Sequence, residues 1–340
     1  GDQRWLTRHE LELDEITRPK NFALGLHARG RFDKILDIDA CYLQSPRSVE
    51  ILNCVRQFVL QSKIPPYSTR HHAGFWRHLV IREGKNTGET MINLVTAESP
   101  EGSKVVDELA SQLSKQFQDI TTIVHNINRK RAQVAIGDEE RVLFGPGTIQ
   151  ERIGDCLFQI SAHSFLQTNT KAAEFLYNKI VEFADFNGDE TVYDLYSGAG
   201  TIALYCANKV EKVVGFEVLE NAVKDAERNC HLNDVENCFF IQGDLKDAFE
   251  LNSDNTAKSA PPNTIIMDPP RAGLHANVLN NVLNLHPEKM VYVSCNPATF
   301  ARDAKELCTQ QYQLNRVQPV DMFPMTSHIE LVSLFTRNPR

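Results

Sequence analysis

The chain has 340 residues, of which 42% are hydrophobic, so it is long enough for two domains with packed cores. It has no apolar run near the roughly 18 residues that a membrane-spanning helix needs, and no signal-peptide pattern, which favours a cytoplasmic protein without a membrane partner. Its eight cysteines form no Cys-x-x-Cys pair and no Cys/His cluster, which indicates reduced thiols and argues against a self-contained zinc site.

Charge is distributed unevenly along the chain, whose net charge is −8. Residues 1–150 contain 20 basic and 19 acidic side chains, whereas residues 151–340 contain 16 and 25. Residues 29–82 alone carry nine basic and four acidic side chains. Such a region can bind phosphates even on an acidic protein, although ordinary solvated surface is an equally good interpretation.

The first 150 residues have the pattern of a smaller mixed α/β domain. Apolar alternation predicts one hairpin over 22–38, with its turn around Ala28, Arg29 and Gly30, and a second hairpin over 75–96. Apolar spacings of three and four predict two helices, over 48–62 and 102–117. A strand is predicted over 121–128, and a turn-rich stretch over 144–155 marks a boundary near residue 150.

From residue 151 to residue 340, strands and helices alternate regularly. The predicted strands are 157–161, 191–196, 212–218, 238–242, 263–268, 289–295, 312–320 and 329–336, and the predicted helices are 168–185, 199–209, 219–233, 275–285 and 297–310. This order predicts a Rossmann-like, mainly parallel sheet with helices on both faces. The last two strands follow one another without a helix and predict an antiparallel edge hairpin. A polar insert at 252–263 predicts a surface loop.

A glycine-rich turn follows the second of these strands, in "DLYSGAGTIAL". Gly198 and Gly200 allow a tight turn and close approach of a ligand to the start of a helix. Glu217 ends the next strand, where an acid can bind the two hydroxyls of a ribose. The arrangement fits both NAD enzymes and methyltransferases that use S-adenosylmethionine, and a purely structural turn is a further interpretation.

Two details favour S-adenosylmethionine. Ala203 stands where the third glycine of G-x-G-x-x-G would let a pyrophosphate approach. Asp194, at the end of the preceding strand, suits a cationic sulfonium better than a pyrophosphate. The turn therefore indicates a methyl-donor site.

Three further residues lie where the predicted sheet would bind a ligand. Asp268 ends a strand in "IIMDPPR", and the two prolines after it stiffen the turn. Arg271 in the same motif can hold a carboxylate, a phosphate or a base edge with its planar fork. Cys295 ends the next strand and should open onto the same crevice. A lone cysteine there is more often a core residue, but beside these neighbours it is a candidate nucleophile.

Near the end of the chain, Glu330 begins the last predicted strand, and His328 precedes it by two residues on the same face. Alone, Glu330 is more simply a surface acid. Beside a nucleophilic thiol and a methyl donor, it becomes a candidate base.

Five stretches resemble, in order and spacing, the RNA 5-methyluridine methyltransferases, which include tRNA T-loop and bacterial 23S rRNA uridine enzymes: Gln167-x-Asn169, the glycine turn 194–201, "DPPR" at 268–271, "SCNPATFARD" at 294–303 and "SHIE" at 327–330. The resemblance is strong over 144–336 and weaker in the first half. It implies a class I S-adenosylmethionine-dependent methyltransferase fold and a monomer acting on structured RNA, with 23S rRNA favoured over tRNA.

The resemblance also implies a role for each site residue. Cys295 would add to carbon 6 of uracil, carbon 5 would attack the sulfonium methyl, and Glu330 would remove the carbon 5 proton. Arg271 would orient uracil or assist the thiolate, and Phe165 would stack on the flipped-out base. Together with Gly198 and Gly200, the residues lining the methyl-donor site would be Gln167, Tyr196, Glu217, Asp268 and, more weakly, Thr201.

The sequence departs from the family in two respects. The small β-barrel RNA-binding domain with which members commonly begin is absent from these residues. Some members bind a 4Fe–4S cluster through three closely spaced upstream cysteines and one in "DIDAC", and only the last has a counterpart here, Cys41. We therefore expect no metal in this chain and a cluster only in a longer one; otherwise Cys41 is a plain buried thiol.

RNA docking is expected in the first half, where basic side chains surround Phe75 and Trp76. These side chains are Arg70, His71, His72, Arg77, His78 and Arg82. Their composition suits phosphates and stacked bases, so we expect Arg77 and Arg82 to bind RNA. Phe75 and Trp76 can equally belong to the core.

Other functions fit less well. RNA cytosine-5 methyltransferases use the same adduct chemistry, but have a second cysteine after the Pro-Pro pair, where this chain has Arg271. Amino-group methyltransferases need an aromatic residue there and no thiol. An NAD oxidoreductase and a non-catalytic RNA-binding module are the alternatives of a different class.

Overall fold

The computed structural model describes residues 2–6, 22–28, 31, 34–131, 134–245 and 261–339. The chain divides into two compact units, Gly1–Glu151 and Arg152–Arg340, one residue after the boundary expected from the sequence. The turn at Arg29 and Gly30 and most of the loop expected at 252–263 lie outside the described residues. Of the helices that the structure describes, none is long and apolar enough to cross a membrane.

Where the first unit is described, it has a seven-stranded sheet and two helices. Its elements are β1 (Asp2–Leu6), β2 (Ala23–His27), β3 (Ile35–Asp37), α1 (Pro46–Ser62), β4 (Trp76–Glu83), β5 (Thr90–Thr96), α2 (Pro100–Gln116), β6 (Thr122–Ile127) and β7 (Glu139–Phe144). The strand order is β3-β2-β1-β4-β5-β6-β7, with β5 and β6 parallel and the other neighbours antiparallel. Both expected hairpins, both helices and the strand are present; β1 and β7 were not expected.

The two helices of this unit begin in the same way. Ser45 caps α1 by accepting from Ser48 N, Ser99 caps α2 by accepting from Gly102 N, and a proline follows each serine. Their apolar faces pack with the sheet in one core, to which the helices contribute Ile51, Leu52, Val55, Val59, Val106, Leu109, Ala110 and Leu113. Each such side chain stabilises the fold by about 1.5–3 kcal/mol when fully buried.

Arg77 lies inside this unit, which contradicts the expectation that it offers its charge to RNA. Its side chain is only 3% exposed. The guanidinium donates to the backbone oxygens of Asn128 (3.0 Å) and Lys130 (2.7 Å) and lies 4.2 Å above the Tyr67 ring. Desolvation lowers the pKa of Arg77, which is the cost of burying a cation among neutral acceptors.

The other members of the expected docking region divide between core and surface. Phe75, Trp76 and His78 are buried, so the core interpretation of the aromatic pair is correct. Arg82 is partly buried, whereas Arg70, His71 and His72 are exposed. A role for Arg82 in RNA binding remains a prediction.

The second unit is built on a second seven-stranded sheet. Strand β8 (Ile149–Ile153) spans the boundary between the units. The elements that follow it are β9 (Cys156–Ile160), α3 (Thr170–Ala184), β10 (Thr191–Leu195), α4 (Thr201–Ala207), β11 (Lys212–Glu217), α5 (Glu220–Leu232), β12 (Cys238–Gln242), β13 (Thr264–Met267), α6 (Ala276–Asn284), β14 (Lys289–Ser294), α7 (Pro297–Gln310), β15 (Tyr312–Val320) and β16 (Glu330–Arg337). Strand β8, which pairs only with β9, was not expected.

The sheet order is β12-β11-β10-β13-β14-β16-β15. Strands β10 to β14 are parallel to one another, whereas β16 is antiparallel to both β14 and β15. The predicted Rossmann-like fold with its antiparallel hairpin is therefore confirmed. This order brings the carboxyl ends of the parallel strands to one edge, where open α/β sheets bind ligands.

Candidate active site

The thiol and the acid expected from the sequence meet at that edge. Cys295 immediately follows β14, and Glu330 is the first residue of β16. Because β16 runs antiparallel to β14, its beginning lies beside the end of β14, and Ser294 pairs with Leu331 in the register. The reversed last strand thus places a carboxylate next to the thiol.

Cys295 differs from a core cysteine. It is partly exposed, whereas Cys206 in α4 is fully buried. Burial, followed by the charge of Glu330, raises the pKa of the Cys295 thiol, and Asp268 acts in the same direction. Arg271 lies within hydrogen-bonding reach and opposes them. The thiol is therefore held neutral by burial and by two carboxylates, and one guanidinium favours its thiolate.

The two carboxylates are also shifted. Glu330 is 8% exposed, and burial, with a smaller contribution from Asp268, raises its pKa to about 7. Burial raises the pKa of Asp268 to about 6. A carboxyl group with a pKa near 7 can both take up and release a proton at neutral pH, which is what a general base requires.

Arg271 is fixed at its backbone and at its side chain. Its backbone oxygen accepts hydrogen bonds from Asn296 Nδ2 (3.1 Å) and Thr299 Oγ1 (3.2 Å), both from the start of α7. Its Nη2 lies 2.6 Å from Nδ1 of His328. The Pro-Pro-Arg turn is thus joined to the segment that carries Cys295 and to the segment that leads into Glu330.

A buried carboxylate below this turn completes the framework. Asp303 accepts hydrogen bonds from Tyr292 OH (2.7 Å), the backbone N–H of Leu274 (2.7 Å) and Arg302 Nε (2.8 Å). Gly273 has φ +77°, and a Cβ there would lie 2.5 Å from Asp303 Oδ2, so the turn requires glycine.

The role of Asp303 was not recognised from the sequence. The available signal was the spacing of Asn296, Thr299 and Asp303, which lie three and four residues apart on one face of α7. Asp303 is fully buried on that face.

The glycine turn has the backbone geometry expected for close approach of a ligand. Tyr196, Gly198 and Gly200 have φ values of 65°, 53° and 78°. A Cβ at Gly200 would lie 2.8 Å from the Phe240 ring, whereas a Cβ at Gly198 would meet no atom within 4 Å. Gly200 is needed for packing, and Gly198 faces open space.

Glu217 lies next to this open space, and Asp194 is buried in the strand that leads to it. Glu217 accepts hydrogen bonds from the backbone N–H groups of Gly198 (3.0 Å) and Leu219 (2.9 Å). Asp194 is fully buried, and desolvation, followed by the charge of Asp268, raises its pKa well above the usual range. The oriented carboxylate of Glu217 can accept the hydroxyls of a ribose, and an acidic group beside the glycine turn opposes a pyrophosphate, so the residues fit S-adenosylmethionine.

The remaining predicted residues are Thr201, which follows the glycine turn, and Gln167 and Phe165, which precede α3. Thr201 begins α4, and its hydroxyl accepts from Tyr177 OH at 3.2 Å. Gln167 is partly buried, whereas Phe165 is 67% exposed. Asn169 caps α3 through Ala172 N (3.3 Å) and donates to the backbone oxygen of Met322 (3.0 Å), which fixes this segment beside the loop before β16.

Cys41 is a partly exposed thiol in the first unit. Within the described ranges, no group of three or more His, Cys, Asp or Glu residues is placed to hold a metal ion. The assignment of Cys41 as a 4Fe–4S cluster ligand in a longer chain stays a prediction.

Comparison with known proteins gave consistent matches. The family model of tRNA (uracil-5-)-methyltransferases matches residues 96–338. An uncharacterized RNA methyltransferase of Chlorobaculum tepidum is 42% identical over 338 residues, covering 99% of this chain and 69% of the relative. One of Porphyromonas gingivalis is 40% identical over 344 residues, covering 99% of this chain and 73% of the relative.

A solved structure is also similar. The crystal structure of Pyrococcus abyssi tRNA (uracil-54, C5)-methyltransferase in complex with S-adenosyl-L-homocysteine has 34% sequence identity and a TM-score of 0.74. The match covers 92% of this chain and 73% of that one. The resemblance stated from the sequence, the enzyme class and the S-adenosylmethionine-dependent fold are confirmed by these matches. The chain belongs to the tRNA (uracil-5-)-methyltransferase family.

Proposed function

We propose that this enzyme methylates carbon 5 of one uridine in a structured RNA through a covalent adduct on Cys295. The observation that supports the proposal is the convergence of Cys295, Arg271, Glu330 and Asp268 at the end of β14. A partly exposed thiol, a cation that favours its thiolate and a base with a pKa near 7 are the groups that this chemistry needs.

The first step uses the thiol. With Arg271 stabilising the thiolate, Cys295 Sγ forms a bond to carbon 6 of uracil, and the electron pair of the carbon 5–carbon 6 double bond makes carbon 5 a nucleophile. The methyl-donor site would be formed by Gln167, Tyr196, Gly198, Gly200, Thr201, Glu217 and Asp268. S-adenosylmethionine held there would give its methyl group to carbon 5 and leave as S-adenosylhomocysteine.

The second step uses the base. Ionised Glu330 takes the proton from carbon 5, the double bond forms again, and the bond from Sγ to carbon 6 breaks, which returns the thiolate. Glu330 then releases its proton to solvent, which a pKa of about 7 permits at neutral pH.

Substrate recognition belongs to the same proposal. The target carbon cannot be reached inside a base stack, so the uridine must leave the stack, and the exposed ring of Phe165 is suited to stack on it. We infer a monomeric cytoplasmic enzyme with 23S rRNA as its RNA and Arg82 among its RNA contacts. The Pyrococcus abyssi relative is named for uracil 54 of tRNA, so tRNA is the alternative substrate.

RNA carrying 5-fluorouridine tests the adduct, because the fluorine cannot be removed as a proton. With S-adenosylmethionine present, the wild-type protein should form a protein–RNA adduct that survives denaturation, and Cys295→Ser should not. Cys308→Ser, which changes an exposed cysteine in α7, is the matched control and should still form the adduct. Failure of the wild type on both 23S rRNA and tRNA would contradict the mechanism, and a difference between the two RNAs identifies the substrate.

Glu330→Gln tests the second step with ordinary RNA. Without a base, release should slow, and a methylated adduct should accumulate on Cys295. Glu306→Gln, at an exposed position of α7, should turn over normally. Normal turnover by Glu330→Gln would remove Glu330 from the mechanism.

A further inference from the structure

His328 contacts the active-site cation, although neither the motif nor the proposed mechanism gives it a task. Its Nδ1 lies 2.6 Å from Arg271 Nη2, and the two residues are 57 positions apart in sequence. Arginine has only donors and keeps its charge in proteins, so His328 Nδ1 must be the acceptor. The contact therefore uses the lone pair of Nδ1.

The loop before β16 orients the His328 ring. The backbone N–H of His328 donates to Thr326 Oγ1 (3.1 Å), and Thr326 Oγ1 donates to the backbone oxygen of Phe323 (2.7 Å). The Phe323 and His328 rings make an edge-to-face contact with 6.2 Å between their centroids. The acceptor is thus held in a defined direction by its own loop.

Arg271 needs such a partner. The side chain is exposed, and holding a long, flexible side chain in one geometry costs conformational entropy. Its planar fork has several N–H donors, so Nη2 can bind His328 while the guanidinium still interacts with the thiol of Cys295. The carboxylate of Glu330 also attracts this group and would draw it away from the sulfur if it were free, and Asp268 adds a further carboxyl group near the thiol.

We propose that His328 is a positioning residue whose imidazole Nδ1 holds the Arg271 guanidinium against the Cys295 thiol and so promotes formation of the attacking thiolate. This inference rests on the proposed function, because it assumes that the Cys295 thiolate is the nucleophile. His328 itself touches neither the sulfur nor the base in this account.

The test measures the thiol directly, without RNA. The rate at which iodoacetamide alkylates Cys295 is measured between pH 6 and pH 10, with mass spectrometry of the Cys295 peptide so that the other cysteines do not contribute. We expect His328→Ala to move the midpoint of the plot of alkylation rate against pH to higher pH. It should slow alkylation at pH 8 about three- to fivefold, the size typical of an exposed charged hydrogen bond. His328→Asn should restore the wild-type curve, because its amide oxygen can accept where Nδ1 did.

Two controls separate positioning from other effects. His231→Ala changes an exposed histidine near the end of α5 and should leave the curve unchanged. In an Arg271→Ala background, His328→Ala should add no further shift, because two residues that act through one contact are not additive. Thermal melting of each variant checks that the fold is retained.

A wild-type alkylation curve for His328→Ala would overturn the inference, as would an equal shift with and without Arg271. Either result would leave the proposed function intact, because that function is tested by adduct formation on RNA. Conversely, RNA methylation by Cys295→Ser would overturn the proposed function even if His328 moved the alkylation curve.

Discussion

Glu217 accepts the backbone N–H of Gly198 through Oε2 at 3.0 Å and that of Leu219 through Oε1 at 2.9 Å. Both carboxylate oxygens are therefore oriented before any ligand is bound, and each retains a lone pair for a hydroxyl. The bond also joins the glycine turn after β10 to the end of β11. The turn and the acid form one rigid ligand-binding corner.

Substitution of the two glycines should have different effects. Gly198→Ala places a methyl group in open space at a backbone φ of 53°, which costs about 1 kcal/mol of strain, but it blocks the approach of the methyl donor. We expect a small change in melting temperature and at least about a tenfold loss of S-adenosylhomocysteine affinity by calorimetry, or about 1.4 kcal/mol. Retained affinity would show that the ligand does not approach the turn.

Gly200→Ala should instead destabilise the fold by about 2–4 kcal/mol, because its Cβ would lie 2.8 Å from the Phe240 ring and 3.0 Å from Ala226 Cβ. Gly188→Ala is the matched control for backbone strain alone, since its φ is 106° and no atom lies within 4 Å of the added methyl. In urea denaturation, the midpoint of Gly200→Ala should lie at a clearly lower urea concentration than the midpoint of Gly188→Ala. Equal midpoints would contradict the packing role of Gly200.

Glu330→Gln should stabilise the protein at alkaline pH. The pKa of Glu330 is about 7 in the folded protein and near the ordinary 4.5 when unfolded, so the folded state binds this proton more tightly. The wild type therefore loses stability as the pH rises from about 4.5 through 7, and glutamine, which cannot ionise, does not. Thermal melting should show a gap in favour of Glu330→Gln at pH 8 that closes toward pH 5. A gap that is constant with pH would rule out this pKa.

Asp303→Asn should destabilise the second unit by about 3 kcal/mol, because the new amide group cannot accept from Leu274 N–H, Tyr292 OH and Arg302 Nε together. Tyr292→Phe removes one of these donors and should cost about 1 kcal/mol. Urea denaturation measures both. A loss below that of Tyr292→Phe would contradict the central role of Asp303.

Arg77→Glu should unfold the first unit rather than weaken RNA binding selectively. It places an anion among the backbone oxygens that Arg77 now satisfies, at a cost of at least about 3 kcal/mol. Arg70→Glu reverses an exposed charge six residues before β4 and should leave the melting temperature unchanged. A stable Arg77→Glu protein with reduced RNA binding would restore the expectation drawn from the sequence.

The parallel part of the second sheet could be predicted because strands such as β10, β13 and β14 are short, buried apolar runs, and its helices have clear apolar faces. Strands β7 and β8 could not. Strand β7 alternates exposed and half-buried residues with few core positions, and β8 directly follows the two glycines at 145 and 147. A weakly buried strand gives little periodic signal.

Contacts between distant segments limit what the sequence reveals about the site. The residue types of Cys295, Glu330 and Asp268 and their places at strand ends were sufficient to bring them together. The hydrogen bond between Arg271 and His328 joins positions that no spacing relates. The basic composition around Arg77 suggested an exposed side chain, and this prediction was wrong. Six consecutive residues of β4 are buried, so neither face of the strand is exposed and alternation cannot distinguish them.

Strand β16 enters the sheet between two strands made earlier in the chain, β14 and β15. Until it does so, β14 has an open edge and Cys295 has no neighbouring carboxylate from that side. Closing the sheet and supplying the acid are therefore a single folding event. A nascent chain on the ribosome that has exposed residues only up to 320 carries the sulfur of Cys295 but not the carboxyl group proposed to release it from a pyrimidine, which arrives only when β16 inserts.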